Sequence, residues 1–234
     1  QVETSTGTGY IGAPHGPMEV IAVGKVLAMQ SIDGLELVDL AEKLKISIVG
    51  DGANQVLHGA IGTDRLLGEG GHDTIYGYEG QDFLRGGDGD DLLIGGKDFD
   101  DMHGNTGNDT LHGGQGDDWV VGGQGNDVLF GDLGNDIVFG NLGDDVCEGG
   151  GGADTLRGGQ HNDVILGGDG DDWISGDLGS DTLSGGAGAD TFNFFVGAGV
   201  DRVLDFSAAE GDRVRIEGGA TYSVSQQGAD TVIS

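Results

Sequence analysis

The sequence has few basic residues, few prolines and one cysteine. Ten lysines and arginines stand against 41 acidic residues among 234, which gives a formal net charge of −31. Because nucleic-acid phosphates require a basic face, this charge excludes a nucleic-acid partner. The single cysteine, Cys147, cannot form a disulfide within the chain. A chain this acidic would repel itself into disorder unless something neutralises its charge.

Long apolar runs and catalytic signatures are also missing. No apolar stretch approaches the ~18 residues that span a membrane, and the first residues lack the basic-then-apolar pattern of a signal peptide. Neither an HExxH helix nor a GxSxG elbow occurs, and the six histidines are scattered. These absences predict a protein that is not an enzyme and has no membrane span. If it is exported, we expect the export signal to lie elsewhere or to have been removed.

What the sequence does have is glycine, arranged in a repeat. Between Gly59 and Asn193 a nine-residue unit occurs fifteen times without an insertion, with glycine first, aspartate sixth and an apolar residue eighth. Such a strict period indicates stacked repeats rather than an ordinary globular core. The repeated aspartates are Asp64, Asp73, Asp82, Asp91, Asp100, Asp109, Asp118, Asp127, Asp136, Asp145, Asp154, Asp163, Asp172, Asp181 and Asp190.

The residue types in each unit favour a hard cation. One unit, GGQGDDWVV at 113–121, joins a six-residue turn to a strand of three residues. Glycines at positions one and four are expected to take positive φ and to turn carbonyl oxygens inward, beside the carboxylate at position six. Six to eight such oxygens suit calcium better than magnesium, and zinc is disfavoured because no histidine or cysteine follows the period. We therefore predict that the fifteen aspartates bind calcium ions.

One turn cannot supply six oxygens, so two units are predicted to form one coil of eighteen residues, with each ion between vertically adjacent turns. One edge would carry every second aspartate from Asp64, and the other every second aspartate from Asp73. The gaps between neighbours on the two edges allow up to about thirteen ions. Asp98, Phe99 and His161 depart from the repeat, and we expect distorted turns with weak or missing ions there.

The units GGDGDDLLI, GGQGNDVLF and GGDGDDWIS resemble the RTX, or haemolysin-type calcium-binding, repeat over about 135 of the 234 residues. The stretch ADTFNF…GAGVDRVLDFS…GDRVRI is similar to the segment that follows the repeats in serralysin-type C-terminal domains. The resemblance implies an all-β fold, a right-handed parallel β-roll (β-helix or solenoid) of 18-residue coils. It also implies type I secretion from a Gram-negative bacterium, with folding outside the cell.

Three parts are predicted along the chain: an N-terminal linker and capping segment at 1–49, the calcium-binding β-roll at 50–193, and a C-terminal β-strand cap at 194–234. Within the first part, 18–29 is rich in valine and isoleucine and reads as one or two strands. The following segment, SIDGLELVDLAEKLKI, predicts a short amphipathic helix that begins after Asp33.

The repeat is expected to fade at both ends. Gln55 stands where an aspartate would precede the first full unit, which predicts an entry coil that has lost its metal ligand. After Asn193 two extra residues interrupt the register, and the pattern returns at Asp201 and Val203.

In each strand the middle residue should face the interior and its two neighbours the outside. Two interpretations of the outward apolar residues stay open. They fill strand positions by β-propensity, or they form a flat face that the chain's own ends or a second protomer covers, which would permit self-association. These residues are Leu92, Ile94, Val128, Phe130, Val146, Val164 and Leu166 on one sheet, and Phe83, Trp119, Val121, Ile137, Phe139 and Trp173 on the other.

The first functional hypothesis is a secreted, noncatalytic calcium-binding structural protein of the cell surface or matrix, with self-assembly left open. The alternative is a noncatalytic secretion and stability module of a larger type I-secreted enzyme, such as a protease, lipase or epimerase. A third hypothesis, with less support, is an adhesin that binds glycans through Trp119 and Trp173.

Overall fold

A computed structural model describes residues 18–20, 45–218, 224–227 and 230–233. Throughout this described part the regular structure is β-strand. The strands are β1 (Met18–Val20), β2 (Ser47–Val49), β3 (Gln55–His58), β4 (Arg65–Gly70), β5 (Thr74–Glu79), β6 (Phe83–Asp88), β7 (Leu92–Lys97), β8 (Asp101–Thr106), β9 (Thr110–Gln115), β10 (Trp119–Gln124), β11 (Val128–Leu133), β12 (Ile137–Leu142), β13 (Val146–Gly151), β14 (Thr155–Gln160), β15 (Val164–Asp169), β16 (Trp173–Leu178), β17 (Thr182–Ala187), β18 (Thr191–Phe195), β19 (Asp201–Val203), β20 (Arg213–Glu217), β21 (Val224–Gln227) and β22 (Asp230–Ile233).

The chain alternates between two sheets, one strand at a time. Sheet A contains the odd-numbered strands from β1 to β19, followed by β22 and β21, and sheet B contains the even-numbered strands from β2 to β20. Within the repeat, neighbouring strands are parallel and their partners lie eighteen residues apart, as for Leu92 with Thr110 in sheet A. The predicted all-β parallel β-roll with 18-residue coils is confirmed.

The core is a stack of single side chains, one from each strand. The residue at position eight of every unit is fully buried, as the inward orientation predicted, and this includes Cys147. Burial raises the pKa of the Cys147 thiol, so this cysteine packs as a small hydrophobe. A buried aliphatic side chain contributes about 1.5–3 kcal/mol. With only one such residue in every nine, the apolar core is small. The turns must therefore contribute to stability as well.

The strands are longer than the sequence predicted, and the glycines with positive φ do not all occupy the predicted positions of the unit. Strand β7 covers six residues because Gly96, at position two of its unit, still pairs with Gly114 in the next coil. The prediction of three-residue strands is therefore wrong. Positive φ occurs at positions two and four, as at Gly96 (125°) and Gly107 (136°), whereas Gly95, at position one, does not take it. The expectation for position four is confirmed, and the expectation for position one is wrong.

Parallel stacking continues beyond the last full unit. Strand β19 pairs with β17 at an offset of twenty residues, Thr182 with Arg202, and β20 pairs with β18 at an offset of twenty-two, Thr191 with Arg213. The two-residue insertion after Asn193 therefore lies outside the strand pairing. Strand β22 then runs antiparallel to both β19 and β21, which ends the parallel order of sheet A.

The N-terminal predictions fall mostly outside the described residues. The helix expected after Asp33 lies there entirely, and of the strand region at 18–29 only the first three residues are described, as β1. Within the described part of the chain, no helix combines the length and apolar character needed to cross a membrane.

The outer faces of the two sheets differ in chemistry. Sheet A presents one column of aliphatic residues and threonines and a second, mixed column, in which His112 stacks on Phe130 at 4.4 Å between ring centroids and Glu148 follows Phe130. On sheet B, charged and aromatic side chains interleave, and the Arg85 guanidinium lies 3.5 Å from the Phe83 ring centroid. Val121, expected to face outward, is only 8% exposed because its strand partners His103 and Phe139 flank it.

Candidate calcium site

The repeat aspartates form two columns, one along each edge where the chain passes between the sheets. All fifteen are buried, with at most 3% of their surface exposed. Each Oδ1 accepts a hydrogen bond from a backbone N–H one coil earlier, as when Asp100 N donates to Asp118 and Asp127 N to Asp145, both at 2.8 Å. We call these columns the inner ladders. Edge 1 contains Asp64, Asp82, Asp100, Asp118, Asp136, Asp154, Asp172 and Asp190, and edge 2 contains Asp73, Asp91, Asp109, Asp127, Asp145, Asp163 and Asp181.

The second oxygen of almost every carboxylate has no partner. In fourteen of the fifteen aspartates Oδ2 is buried and forms no hydrogen bond. Asp64 is the exception, because its Oδ2 accepts a bond of 2.6 Å from the backbone N–H of Ala60. A buried carboxylate oxygen without a partner is costly, and a cation is the usual compensation. The same buried, unpaired carboxylate oxygen occurs in every inner-ladder aspartate from Asp73 to Asp190.

Backbone carbonyl oxygens converge on the same places. A methyl group added at Gly113 would lie 2.7 Å from Oδ2 of Asp118 and 2.7 Å from the carbonyl oxygen of Gly131. The first glycine of the unit is therefore needed for space rather than for its φ. Without a side chain there, a carboxylate oxygen and a carbonyl oxygen of the next coil come together, and this oxygen set is the one that calcium prefers.

The remaining ligands of an ion in these turns would have to come from the backbone. Within the described residues, no three His, Cys, Asp or Glu side chains cluster around one point. Adjacent coils are ~4.8 Å apart, so each aspartate has one carboxylate neighbour above and one below. The residues present thus fit calcium rather than zinc. That the fifteen aspartates are its ligands stays a prediction.

Burial raises the pKa of the inner-ladder carboxyl groups from Asp73 to Asp190 above the ordinary aspartate value. The pKa reaches about 8 for Asp100 and Asp136 on edge 1 and for Asp127 on edge 2. Desolvation is the largest cause, and repulsion from neighbouring aspartates adds to it, while the backbone N–H bond to Oδ1 works in the opposite direction. At neutral pH the fold alone therefore favours the protonated acid at Asp100, Asp127 and Asp136, and a bound cation would favour the carboxylate there instead.

The inner ladders extend past the predicted set at their C-terminal end. Asp201 accepts the backbone N–H of Asp181, and Asp212 accepts that of Asp190, both at 3.1 Å. The return of the pattern at Asp201 was visible in the sequence, whereas Asp212 was missed. Its signal is the repeat's own spacing, because an apolar residue, Val214, follows two positions later.

At the other end the ladder begins without a carboxylate. The backbone N–H of Gln55 donates to Asp73 Oδ1 at 2.7 Å, so the residue occupies the ladder position. Its side-chain amide donates to Asp51 at 3.0 Å. The prediction of an entry coil that keeps the apolar position and lacks the aspartate is confirmed, since Leu57 is fully buried.

The two irregular turns keep the ladder geometry. Asp98 and His161 both adopt the positive φ of the glycines they replace, 69° and 85°. The following aspartates keep their inner-ladder bonds, from Asp100 to Asp118 at 2.8 Å and from Asp163 to Asp181 at 2.9 Å. The expectation of distorted turns is therefore wrong for the inner ladder, and His161 also keeps its backbone bond to the carbonyl of Leu178 at 2.8 Å. Within the described residues, however, the Asp98 turn lacks the matching backbone bond to Gln115 that its neighbouring turns make to the next coil. Weak or missing ions at both turns stay a prediction. Each replacement costs the roughly 1–2 kcal/mol of a left-handed conformation.

A second ladder, which sequence reasoning did not find, runs outside the first. Side chains at position five accept the backbone N–H of the residue one coil later, as when Asn126 Oδ1 accepts Asp144 N at 2.9 Å. We call this the outer ladder. Its signal is the frequency of asparagine, aspartate and serine at position five, because these short side chains readily bond to nearby backbone.

The RTX calcium-binding nonapeptide repeat model, which spans four copies of the repeat, matches residues 49–84, 58–93, 94–129, 121–156 and 157–192. Together these matches cover 49–192, more than half of the chain. A comparison with curated proteins gave no match. The model was built on the same nine-residue period that places the aspartates in two columns, and its repeats are structural calcium-binding segments rather than catalytic ones. The chain therefore belongs to the RTX calcium-binding repeat family.

Proposed function

We propose that this chain is a secreted, noncatalytic structural protein that folds when calcium ions neutralise its two aspartate columns. One observation carries the proposal: fourteen carboxylate oxygens are buried without a hydrogen-bond partner. Each such oxygen opposes folding when its carboxylate is charged, and a calcium ion between adjacent turns removes that opposition. Up to about thirteen ions follow from the gaps between neighbouring aspartates.

The free energy of calcium binding would make folding depend on whether the chain is inside or outside the cell. Calcium modules outside cells bind with Kd around 10⁻⁴–10⁻³ M, so about 10 mM calcium stabilises each site by about 1.4–2.7 kcal/mol. At the sub-micromolar levels inside a cell, the stabilisation is close to zero. Over a dozen sites this difference makes the chain unfolded before export and folded afterwards. It suits type I secretion from a Gram-negative bacterium, followed by residence at the cell surface or in the matrix.

Self-association through sheet A is part of the proposal. Its outward columns carry Val128, Phe130 and Val146 in successive coils, and Leu133 nearby is 59% exposed. The column of Val128, Val146 and Val164 is aliphatic, and the polar partners of Phe130, His112 and Glu148, flank it on the same face. An aliphatic column of this kind suits the same column of a second copy. Light scattering in calcium, compared between the wild type and Val128→Lys, tests it. A monomeric wild type would remove this part of the proposal and leave the calcium function intact.

The second candidate is a noncatalytic secretion and stability module within a larger type I-secreted enzyme, such as a protease, lipase or epimerase. The same buried carboxylates favour it, because a calcium-driven folding switch serves any domain joined to it. The full reading frame in the gene separates the two candidates. A catalytic domain in the same polypeptide would decide for the second.

Removal of calcium tests the shared premise. Far-UV circular dichroism in 10 mM calcium should show β-structure, and excess EDTA should abolish it, with recovery when calcium is restored. The same concentration of magnesium should restore much less, because magnesium demands a tighter octahedral site. A spectrum that excess chelator leaves unchanged would refute the proposal.

A further inference from the structure

A groove on the rim of sheet B forms a second candidate site, separate from the aspartate columns. It is open to solvent, has a volume of about 360 Å³ and crosses four neighbouring strands, with Asn141 from β12, Arg157 and Gln160 from β14, Asp177 and Leu178 from β16, and Phe195 from β18 among its lining residues. This volume lies within the range of small-ligand sites. None of these residues belongs to the inner ladders, and the groove lies on the outside of the roll.

The groove exists because of an alternation at position two of the unit. Asn141, Gly159 and Asp177 are strand partners in adjacent coils, so a glycine lies between two polar side chains. A methyl group on Gly159 would lie 2.7 Å from the Asn141 Cα. Only glycine therefore fits at this position. Because it carries no side chain, the space outside it is bounded by the side chains of Asn141 and Asp177, which form its walls.

Both walls are held in a strained conformation. Asn141 has φ 82° and Asp177 has φ 68°, in the left-handed region where the repeat usually places glycine. Asparagine and aspartate tolerate this region better than other residues, but it still costs roughly 1 kcal/mol or more. The same conformation occurs at Asn105 and at the other non-glycine residues of this position from Glu69 onward, so it is a property of the repeat and does not by itself mark the groove.

The polar groups of the groove are neutral in sum. Arg157 pairs with Asp177, whose Oδ2 lies 2.7 Å from Nη2 and 2.9 Å from Nε, and the Ser175 hydroxyl donates to Asp177 Oδ1 at 2.7 Å. The guanidinium is therefore fixed in place and its charge is balanced. Because the whole chain is strongly acidic, an anionic ligand would be repelled rather than attracted.

Free amides and apolar side chains alternate along the groove. The side-chain amides of Asn141 and Gln160 form no hydrogen bond within the described residues, so both keep donors and acceptors for a ligand. Leu142 and Leu178, the strand partners of Gln160 on either side, are 39% and 44% exposed. A ligand that matches this lining has hydroxyl groups at its rim and C–H groups on its faces.

We propose that this groove binds a neutral pyranose unit of a glycan. The hydroxyls would bond to the two amides and to the remaining guanidinium N–H groups, while the ring would rest on the leucines. The site goes beyond the calcium function, because its residues are not calcium ligands. A peptide would match the same volume, but it would leave a fixed, charge-balanced Arg–Asp pair with little to recognise.

The test uses full-length protein in 10 mM calcium, with circular dichroism to show that every sample is folded. Neutral hexasaccharides of β-1,4-glucose, β-1,3-glucose and α-1,4-glucose serve as probes in saturation-transfer NMR and titration calorimetry. Wild type should bind at least one of them. Asn141→Gly removes one amide and relieves its strain, so it should weaken binding about tenfold without loss of stability.

Asn105→Gly is the matched control. Asn105 occupies the same position of the unit on the same sheet, with φ 80°, but lies outside the groove. Asn105→Gly also loses a long hydrogen bond of 3.3 Å from the Asn105 amide to the His103 carbonyl, so circular dichroism must show that it is folded, and it should then match the wild type in binding. The proposal is overturned if folded wild type binds none of the neutral glycans, if a polyuronate or a peptide library binds better, or if both glycine variants lose binding equally.

Discussion

The two edges of the roll have nearly the same inner ladder but different outer ladders. On edge 2 the outer ladder is continuous, with each position-five side chain from Asn54 to Asn162 accepting the next backbone N–H. On edge 1 it is interrupted. Phe99 and Ala153 have no side-chain acceptor, and Thr63 and Gln81, which have one, accept no such bond in the described part of the chain. In the described part of edge 1, the outer-ladder bonds are donated by the backbone N–H groups of Asn135, Ala153 and Ala189.

This difference separates two contributions to the turns. The inner ladder is set by the need for a carboxylate in every coil, so it is uniform apart from its ends. The outer ladder only ties adjacent turns together, and water can replace its exposed bonds at small cost. Edge 2 should therefore retain its turns longer than edge 1 when ions leave, and four measurements would challenge or refine that view.

The largest effect should come from pH, and it should strike both edges alike. Folding raises the pKa of Asp136 and Asp127 to about 8, above the unfolded value, so their contribution to stability is present at low pH and is lost as pH rises through 8. Metal-free protein should therefore be more structured at pH 5 than at pH 8, by circular dichroism after passage over a chelating resin. In calcium the trend should reverse, because protons compete with the ion. Equal structure at both pH values without metal would contradict the role given to burial.

A methyl group at the first glycine should cost several kcal/mol on either edge. In Gly113→Ala on edge 1 the new carbon would lie 2.7 Å from Asp118 Oδ2, and in Gly140→Ala on edge 2 it would lie 2.6 Å from the Gly158 carbonyl oxygen. Both should lose calcium binding nearby and unfold at lower urea concentration. Gly70→Ala is the control, since its nearest neighbour would be 3.7 Å away. If Gly113→Ala proved as stable as this control, the space argument would be wrong.

Loss of one carboxylate should distinguish the edges. Asp100→Asn and Asp145→Asn each keep the Oδ1 acceptor of the inner ladder, both at 2.8 Å, but remove the charge. Each should lower the number of bound calcium ions and cost about 1.4–2.7 kcal/mol per lost site in 10 mM calcium. Hydrogen exchange should rise more around Asp100, because Phe99 breaks the outer ladder beside it on edge 1. Full calcium stoichiometry by mass spectrometry would show that the replaced carboxylate is not a ligand, and Asp117→Asn, which is exposed, is the control.

Repair of the broken ladder should give the smallest effect. Ala153→Asn on edge 1 would supply an acceptor for the backbone N–H of Asp171, as Asn126 does for Asp144 on edge 2. A gain of about 0.5–1 kcal/mol is expected in urea unfolding, together with slower exchange of the Asp171 amide. Ala187→Asn, which lies outside the ladder, should change neither. A repaired ladder with unchanged exchange would mean that the outer bonds contribute nothing measurable.

Much of the fold could be predicted because the repeat leaves few alternatives. The interval of nine residues fixed the coil length and the two aspartate columns, and the apolar residue at position eight identified the buried stack from Leu57 to Phe192. The strand length could not be predicted in the same way. Glycine has little strand propensity, yet Gly96 and Gly114 pair because the coils above and below hold them in register.

The candidate groove on sheet B could not be predicted from the sequence, for a different reason. Asn141, Gln160 and Leu178 belong to three different units, and in the sequence each looks like a variable surface residue. Only the eighteen-residue coil brings them side by side, and only the positive φ at Asn141 shows that its conformation is costly.

The sequence by itself determined that this protein stacks its coils and collects carboxylates along two edges, because a period without insertions permits one register. The tertiary structure decided how each carboxylate is used. One oxygen is tied to the backbone of the coil before, as from Asp118 to Asp100 at 2.8 Å, and the other is left buried and without a partner. That division depends on the distance between adjacent coils, and no single unit of the sequence contains it.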